Sequence, residues 1–90
     1  MDCGAYVSWG AMTPVVMVNT FGNFYRCPAA RYRARTVCTN TQPTGAYRGF
    51  GNPELIFAME SQMDELAKEL RIDPIDFRLK TVNLPEETTP

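Results

Sequence analysis

The strongest structural signal in the chain is an apolar stripe that follows a helix-start pattern. Asn52 can cap a helix, Pro53 suits the first helical position, and Glu54 suits the positive end of the helix dipole. Beyond them, apolar residues recur at alternating steps of three and four, at Ile56, Met59, Met63, Leu66 and Leu70. This spacing predicts one amphipathic α-helix from residue 52 to about residue 70.

A proline that follows a capping side chain marks two further helix starts. The pair Asp73-Pro74 predicts a short helix through about residue 80. The pair Thr13-Pro14 predicts a helix over the next turns, and the β-branched residues that follow also permit a strand there. Residues 15–24 are nearly all apolar or small, which indicates burial on more than one side.

Period-two alternation and β-propensity predict two strands. Residues 5–9 lie between two glycines and are rich in side chains that favour strands, and residues 31–39 alternate with arginines on one face. Residues 84–90, with two prolines and two glutamates, are expected to form a loose C-terminal tail. We therefore predict an α+β (α/β) fold of short strands plus one long amphipathic helix, in a single domain over residues 1–90.

A glycine-rich loop, residues 45–51 (Gly-Ala-Tyr-Arg-Gly-Phe-Gly), runs directly into the long helix. Its glycines permit unusual backbone angles and close approach to a ligand, and a helix N-terminus offers free N–H groups to an anion. Arg48 adds a planar fork of donors, and Phe50 could stack on a flat ligand. The alternative is a tight connection in which Arg48 pairs with an acid and Phe50 fills the core. Spacing alone favours neither interpretation, and the loop matches neither the phosphate-binding nor the dinucleotide glycine pattern.

The histidine and cysteine content limits the metal sites and catalytic pairs that this chain can form. The chain has no histidine, and its three cysteines, Cys3, Cys27 and Cys38, are widely spaced. This disfavours a zinc site or an iron-sulfur cluster built from this chain alone and excludes Ser-His and Cys-His pairs within it. We expect three buried free thiols and no catalytic residue in this chain. No apolar run reaches the roughly 18 residues of a membrane helix and no signal-peptide pattern is present, so a cytoplasmic location is expected.

Charge is divided unevenly between two halves. Through Gly51 the chain has five arginines and one acid, whereas from Asn52 onward it has nine acids and four basic residues. Arginines over residues 26–35, interleaved with Tyr25 and Tyr32, are the right combination for single-stranded nucleic acid. The net charge of −1 and the absence of an RNA-binding signature make this the weaker interpretation, and no nucleic-acid partner is predicted.

Four segments together resemble the molybdenum hydroxylases, the family of xanthine dehydrogenase and aldehyde oxidase. They are residues 45–54 (GAYRGFGNPE), 57–60 (FAME), 72–80 (IDPIDFRLK) and 2–6 (DCGAY). The resemblance covers almost the whole chain and identifies it as a piece of the molybdopterin-binding large subunit. It implies hydroxylation of an aromatic N-heterocycle or an aldehyde, with water as the oxygen source. The implied cofactor is molybdopterin with molybdenum, and iron-sulfur clusters and FAD are implied on partner domains or subunits.

The resemblance also implies roles for the loop residues. Tyr47, Arg48 and Gly49 would bind the cofactor, and the main-chain amide of Arg48 would meet the molybdenum ligand sphere. Phe50 would pack against a small aromatic or aldehyde substrate. These roles agree with the loop chemistry inferred from the residues themselves.

Two departures from the family pattern make a purine a less favoured substrate. Asn52 stands where purine-oxidising members commonly have glycine, and residues 15–20 contain no arginine to match the one that guides purines. The family's catalytic glutamate would lie beyond Pro90, so the isolated chain is expected to be inactive. Its incomplete core would pack on the remainder of the subunit or, in isolation, in a dimer. A non-catalytic binding module with the same fold elements is the alternative function.

Overall fold

The computed structural model describes residues 1–84 and contains three α-helices. They are α1 (Thr13–Phe24), α2 (Asn52–Leu70) and α3 (Pro74–Thr81), and a 3-10 helix, Trp9–Met12, leads into α1. Helices α1 and α3 each pack against α2. The rest of residues 1–84 forms turns and extended backbone.

The predicted α+β class with short strands is wrong. Helix accounts for 51% of residues 1–84, and the 5% with β-type pairing consists of single bridge residues. The only β-type pairings within residues 1–84 are two isolated bridges, a parallel one between Asp2 and Val37 and an antiparallel one between Tyr25 and Val82. No sheet is therefore formed by this part of the chain.

The strand expected at residues 5–9 is absent because the chain turns just before it. Gly4 has a φ of +77°, and a Cβ at Gly4 would lie 2.3 Å from the carbonyl oxygen of Gln42. The N–H of Gly4 donates to the Asp2 carboxylate at 2.8 Å, which holds the turn. The chain then passes into the 3-10 helix Trp9–Met12 instead of pairing.

The strand expected at residues 31–39 is extended but mostly unpaired. At its end, the N–H of Val37 donates to the carbonyl of Met1 and that of Thr39 donates to the carbonyl of Gly4. Within the described part of the chain, residues 31–36 donate no backbone hydrogen bond to another backbone group. The alternation of side chains over residues 31–39 correctly indicates an extended backbone. A β-strand also requires hydrogen bonds to a neighbouring strand, and this segment lacks them over most of its length.

Helix α1 confirms the start signal at Thr13-Pro14 and excludes the strand alternative there. The N-cap is Met12, and the Thr13 hydroxyl makes no capping hydrogen bond. Thr13 and Pro14 are buried, but Val15 is 51% exposed and Val18 is 38% exposed. The expected burial of this stretch on more than one side is therefore wrong within this chain.

Helix α2 confirms the predicted helical span, but the apolar stripe is only partly covered, since Leu66 is 43% exposed and Leu70 is 57% exposed. The start of the helix also differs from the prediction. Gly51 occupies the N-cap in a left-handed conformation, and Pro53 lies in the first turn. The side chain of Asn52 does not cap the helix; instead its Oδ1 accepts a hydrogen bond from the Thr20 hydroxyl of α1. This bond ties the start of α2 to α1.

Helix α3 confirms the capping signal at Asp73. The Asp73 carboxylate accepts hydrogen bonds from the N–H groups of Ile75 at 2.8 Å and Asp76 at 3.2 Å. Arg71, with a φ of +56°, ends α2 and turns the chain toward α3. The tail predicted at residues 84–90 lies outside the described residues except for Leu84, which is half exposed.

The chain buries little apolar surface of its own. Among residues 1–84, the buried hydrophobic side chains are Cys3 and Ala67. Cys27 and Cys38 are exposed, so the expectation of three buried thiols holds for Cys3 alone. None of the helices in this part of the chain is long and apolar enough to cross a membrane.

Candidate functional site

The loop before α2 is a tight turn with three consecutive residues at positive φ. The N–H of Phe50 donates to the Tyr47 carbonyl at 2.8 Å, and the N–H of Asn52 donates to the Gly49 carbonyl at 3.0 Å. The φ angles are +91° at Gly49, +44° at Phe50 and +91° at Gly51. Two successive turns therefore reverse the chain immediately before the helix begins.

Two of the loop glycines are required by close packing as well as by their φ angles. A Cβ at Gly49 would lie 2.7 Å from the ring of Pro53, and a Cβ at Gly51 would lie 2.3 Å from Cγ2 of Thr13. Gly45 differs, because its φ is not positive and a Cβ there would meet no atom within 4 Å. The unusual backbone angles expected at all three glycines occur only at Gly49 and Gly51.

Phe50 is the strained residue of the loop. A non-glycine residue in a left-handed conformation costs roughly 1–3 kcal/mol and persists only where the surroundings hold it. The Phe50 ring is half-buried and lies edge-on to the indole of Trp9, with ring centroids 6.5 Å apart and an interplanar angle of 69°. Backbone strain of this kind occurs often at ligand-binding sites.

Trp9 is a residue of the site that the sequence analysis did not identify. It begins the 3-10 helix, and its neighbour Gly10 packs so closely on Thr44 that a Cβ would lie 2.0 Å from the Thr44 hydroxyl. The indole is 69% exposed although it contacts Phe50. Its only sequence signal was a large aromatic side chain next to a glycine.

Both ends of the loop are anchored while its middle is presented outward. The N–H of Thr44 donates to the Cys3 carbonyl at 3.2 Å at one end, and buried Gly51 packs on α1 at the other. Between them, Tyr47 is 89% exposed and Arg48 is also exposed. The fold therefore anchors the two ends of the loop and leaves its middle projecting from the surface of residues 1–84.

The loop presents hydrogen-bond donors that the described residues do not use. Over residues 1–84, the main-chain N–H groups of Arg48, Gly49 and Gly51 meet no protein acceptor, and the Arg48 guanidinium forms no ion pair. The pairing of Arg48 with an acid, which the tight-connection alternative requires, is thus not formed by this part of the chain. Free N–H groups beside a guanidinium fit an anionic group such as a phosphate or a metal-bound oxygen.

A second polar cluster lies away from the loop, between the three helices. Glu60 accepts hydrogen bonds from the Tyr25 hydroxyl and from Nε of Arg78, the latter at 2.7 Å, and Arg78 also pairs with Asp64 at 2.8 Å. The Tyr25 hydrogen bond, followed by that of Arg78, lowers the pKa of Glu60, and burial raises the pKa of Tyr25. Near neutral pH Glu60 therefore stays ionised and the Tyr25 hydroxyl stays protonated, so the cluster joins helices and does not suit proton transfer.

No group of three or more metal-ligating side chains occurs among the described residues. The free main-chain donors and the exposed arginine suit an anionic group, and the aromatic pair suits a flat one. Residues 1–82 match the family model of the molybdopterin cofactor-binding domain. The chain belongs to this family, which confirms the resemblance to the molybdenum hydroxylases.

Individual relatives agree with this assignment. The chain is 37% identical over 89 residues to the xanthine dehydrogenase molybdenum-binding subunit of Escherichia coli O157:H7. It is 44% identical over 79 residues to the nicotinate dehydrogenase large molybdopterin subunit of Eubacterium barkeri. These alignments cover 99% and 87% of this chain, and 12% and 18% of the respective relatives.

A solved structure shows the same arrangement of elements. The aldehyde oxidoreductase from Desulfovibrio gigas matches with a TM-score of 0.88 and 37% sequence identity over 99% of this chain. The match covers 10% of that protein. The chain therefore spans between a tenth and a fifth of the length of these three similar proteins.

Proposed function

We propose that this chain forms one wall of the molybdenum site in an oxidoreductase that hydroxylates an aromatic N-heterocycle or an aldehyde, with water as the oxygen source. The observation that carries the proposal is the strained turn at Phe50. It holds a phenyl ring and the free donors of Arg48 and Gly49 side by side at the start of α2. The molybdopterin cofactor, when bound, supplies the two-electron chemistry that no side chain of this loop can perform.

In this proposal the loop binds mainly through its backbone. The N–H of Arg48 would donate to the ligand sphere of the metal, and Tyr47 and Gly49 would complete the contact with the cofactor. The exposed Arg48 guanidinium adds positive charge next to an anionic group. Because Gly49 has no Cβ, the turn can pack directly on the ring of Pro53, where a Cβ would lie at 2.7 Å.

Phe50 packs against the flat substrate, and Trp9 positions Phe50. The edge-on contact fixes the phenyl ring on one side and leaves its other surface for a ligand. Substrate would contact apolar and aromatic surface here. The helix α1, which contains residues 15–20, offers no arginine for a purine, and this favours another aromatic compound or an aldehyde.

The proposed partners follow from what the chain leaves uncovered. Phe57 is 77% exposed, Ile75 is 68% exposed and Leu79 is 67% exposed, all on α2 and α3. The remainder of the large subunit would cover this surface and supply the catalytic base. Iron-sulfur and flavin domains or subunits would carry electrons away from the site.

The test is cofactor content in the full protein as its gene encodes it, with two glycine variants. We expect wild type and Gly45→Ala to contain molybdenum and pterin, because Gly45 tolerates a Cβ. Gly49→Ala should contain much less of both, because its Cβ would displace Pro53 and the turn. A full protein that never contains molybdenum or pterin, under conditions in which related enzymes do, would favour a non-catalytic binding module.

A further inference from the structure

Two cysteines that the proposed function does not use lie in contact. The Sγ atoms of Cys3 and Cys38 are 3.6 Å apart, although the residues are separated by 35 positions in the chain. Cys3 is 2% exposed, whereas Cys38 is exposed. A thiol that oxidants can reach therefore lies directly against one that they cannot reach.

Backbone hydrogen bonds hold this contact in place. The N–H of Cys3 donates to the Val37 carbonyl at 2.9 Å, and the N–H of Val37 donates to the Met1 carbonyl at 2.9 Å. The Cys3 thiol also donates to the Val37 carbonyl, with the sulfur 3.2 Å from the oxygen. A disulfide requires a sulfur separation of about 2.05 Å. The two sulfurs therefore need to approach each other by about 1.5 Å for a disulfide to form.

We propose that Cys3 and Cys38 form an oxidisable dithiol, a modification site at which glutathione disulfide converts the two thiols into one intramolecular disulfide. The proposal is independent of the proposed function, because it rests on the pair of thiols and the backbone that holds them. Cys27 is excluded from the site, since its exposed thiol donates to the Ala29 carbonyl at 3.1 Å and contacts neither of the other two.

The reaction proceeds in two exchange steps. The thiolate of Cys38 attacks one sulfur of glutathione disulfide, the S–S bond of that molecule breaks, and one glutathione thiolate leaves. Cys3 then loses its proton and attacks the Cys38 sulfur of the mixed disulfide, which releases the second glutathione. Two protein thiols are oxidised, and one glutathione disulfide is reduced to two molecules of glutathione.

Exposure and protonation determine the order of these steps. Cys38 is the accessible sulfur and reacts first. Burial, followed by the hydrogen bond with Cys38, raises the pKa of the Cys3 thiol, which makes Cys3 the less reactive of the two toward glutathione disulfide. Cys3 is therefore the resolving cysteine.

The disulfide would link the N-terminal turn to the segment that leads into the loop of residues 45–51. The carbonyl of Cys3 accepts a hydrogen bond from the N–H of Thr44, the residue just before the loop. Cys38 lies in the segment that leads to Thr44. A covalent link between the two cysteines would hold this segment against the N-terminal turn and slow local opening of residues 39–44.

The experiment equilibrates the full protein with glutathione and glutathione disulfide at increasing ratios, then alkylates free thiols and digests with trypsin. Arginines at 26, 31, 35 and 48 place the three cysteines in three different peptides. We expect a cross-linked product of the Cys3 and Cys38 peptides that has lost two hydrogen atoms and disappears on reduction. Amide exchange of residues 39–44 should slow in the oxidised form.

Cysteine variants separate the attacking role of Cys38 from the resolving role of Cys3. Cys38→Ser should lose the cross-link and leave Cys3 unreactive toward glutathione disulfide, whereas Cys27→Ser should keep the cross-link at the wild-type level. Cys3→Ala should stop at a mixed disulfide of Cys38 with glutathione. A wild-type protein in which both thiols remain free at the most oxidising ratio, or in which Cys38 stays as the mixed disulfide, would overturn the proposal whatever the variants do.

Discussion

The indole of Trp9 lies edge-on to the phenyl ring of Phe50, with ring centroids 6.5 Å apart. Phe50 has a φ of +44°, so its ring direction depends on support from outside the loop. Trp9 provides that support from the 3-10 helix, which packs on Thr44 at the other end of the loop through Gly10. The aromatic pair therefore links the strained turn to the N-terminal part of the chain.

Removing the indole should lower activity without removing the cofactor. Edge-to-face aromatic pairs contribute about 0.5–1.5 kcal/mol, so Trp9→Ala should reduce kcat/KM by roughly 2- to 10-fold. The assay uses the full protein with nicotinate or an aromatic aldehyde, together with a molybdenum determination. Trp9→Phe retains an aromatic edge and is the matched control. Wild-type kcat/KM in Trp9→Ala would show that Trp9 does not position Phe50.

A methyl group at Gly51 should destabilise the start of α2. The φ of +91° disfavours an L-residue by about 1–2 kcal/mol, and the new Cβ would also lie 2.3 Å from Cγ2 of Thr13. We expect Gly51→Ala to speed amide exchange in the first turns of both α1 and α2 in the full protein. Gly22→Ala is the control, because a Cβ at Gly22 meets no atom within 4 Å. Equal exchange in the two variants would contradict this account of Gly51.

Helices α2 and α3 could be predicted from the sequence because their signals act over one or two turns. Asp73 caps α3 through N–H groups two and three residues away, and the stripe of α2 repeats within each turn. The sequence predicts Asn52 at the N-cap of α2, whereas the structure has Gly51 there, one position earlier. Asn52 suits that position chemically, but the left-handed turn places Gly51 there and frees Asn52 to bond with Thr20.

The strands and the aromatic partner could not be predicted, because they depend on distant parts of the chain. Alternation over residues 31–39 correctly indicates extended backbone, but no neighbouring strand is supplied by residues 1–84. Residues 5–9 have β-propensity, yet the turn at Gly4 depends on contact with Gln42. Trp9 and Phe50 are 41 positions apart in the sequence, so their contact leaves no local signal. The loop itself was identifiable because its glycines and its arginine are adjacent in sequence.

The cluster around Glu60 should make the helix packing sensitive to acid. Hydrogen bonds from Tyr25 and Arg78 lower the pKa of Glu60 below its ordinary value of 4.5, so the carboxylate stabilises the fold fully above that pH. This stabilisation is lost as the pH falls from 4.5 through the lower pKa of the folded state. The protection of amides in α2 and α3, measured relative to their intrinsic exchange rates at each pH, should therefore fall on acidification more in wild type than in Glu60→Gln.

Glu65→Gln provides the comparison for that experiment, because Glu65 is an exposed glutamate on the same helix without a hydrogen bond or ion pair to residues 1–84. Its acid response should equal that of wild type. A Glu60→Gln variant with the full wild-type acid response would mean that other carboxylates determine the pH dependence of helix packing.

The isolated chain of 90 residues should associate with itself. Among residues 1–84 only Cys3 and Ala67 are buried hydrophobic residues, while Trp9, Phe57 and Ile75 are each more than two-thirds exposed. Exposed apolar surface of this kind is normally covered by another protein surface. Light scattering of the isolated chain should give a mass of a dimer or larger.

A charge on the exposed face of α2 should weaken that association. Phe57→Lys removes an apolar ring that is 77% exposed, whereas Gln62→Lys adds the same charge at an exposed polar position of the same helix. We expect the apparent mass to fall toward that of a monomer in Phe57→Lys and to stay near wild type in Gln62→Lys, because burial of apolar surface drives the contact. A wild-type chain that is monomeric and melts cooperatively would mean that its helices form a sufficient core alone. Equal dissociation in both variants would instead indicate an electrostatic contact.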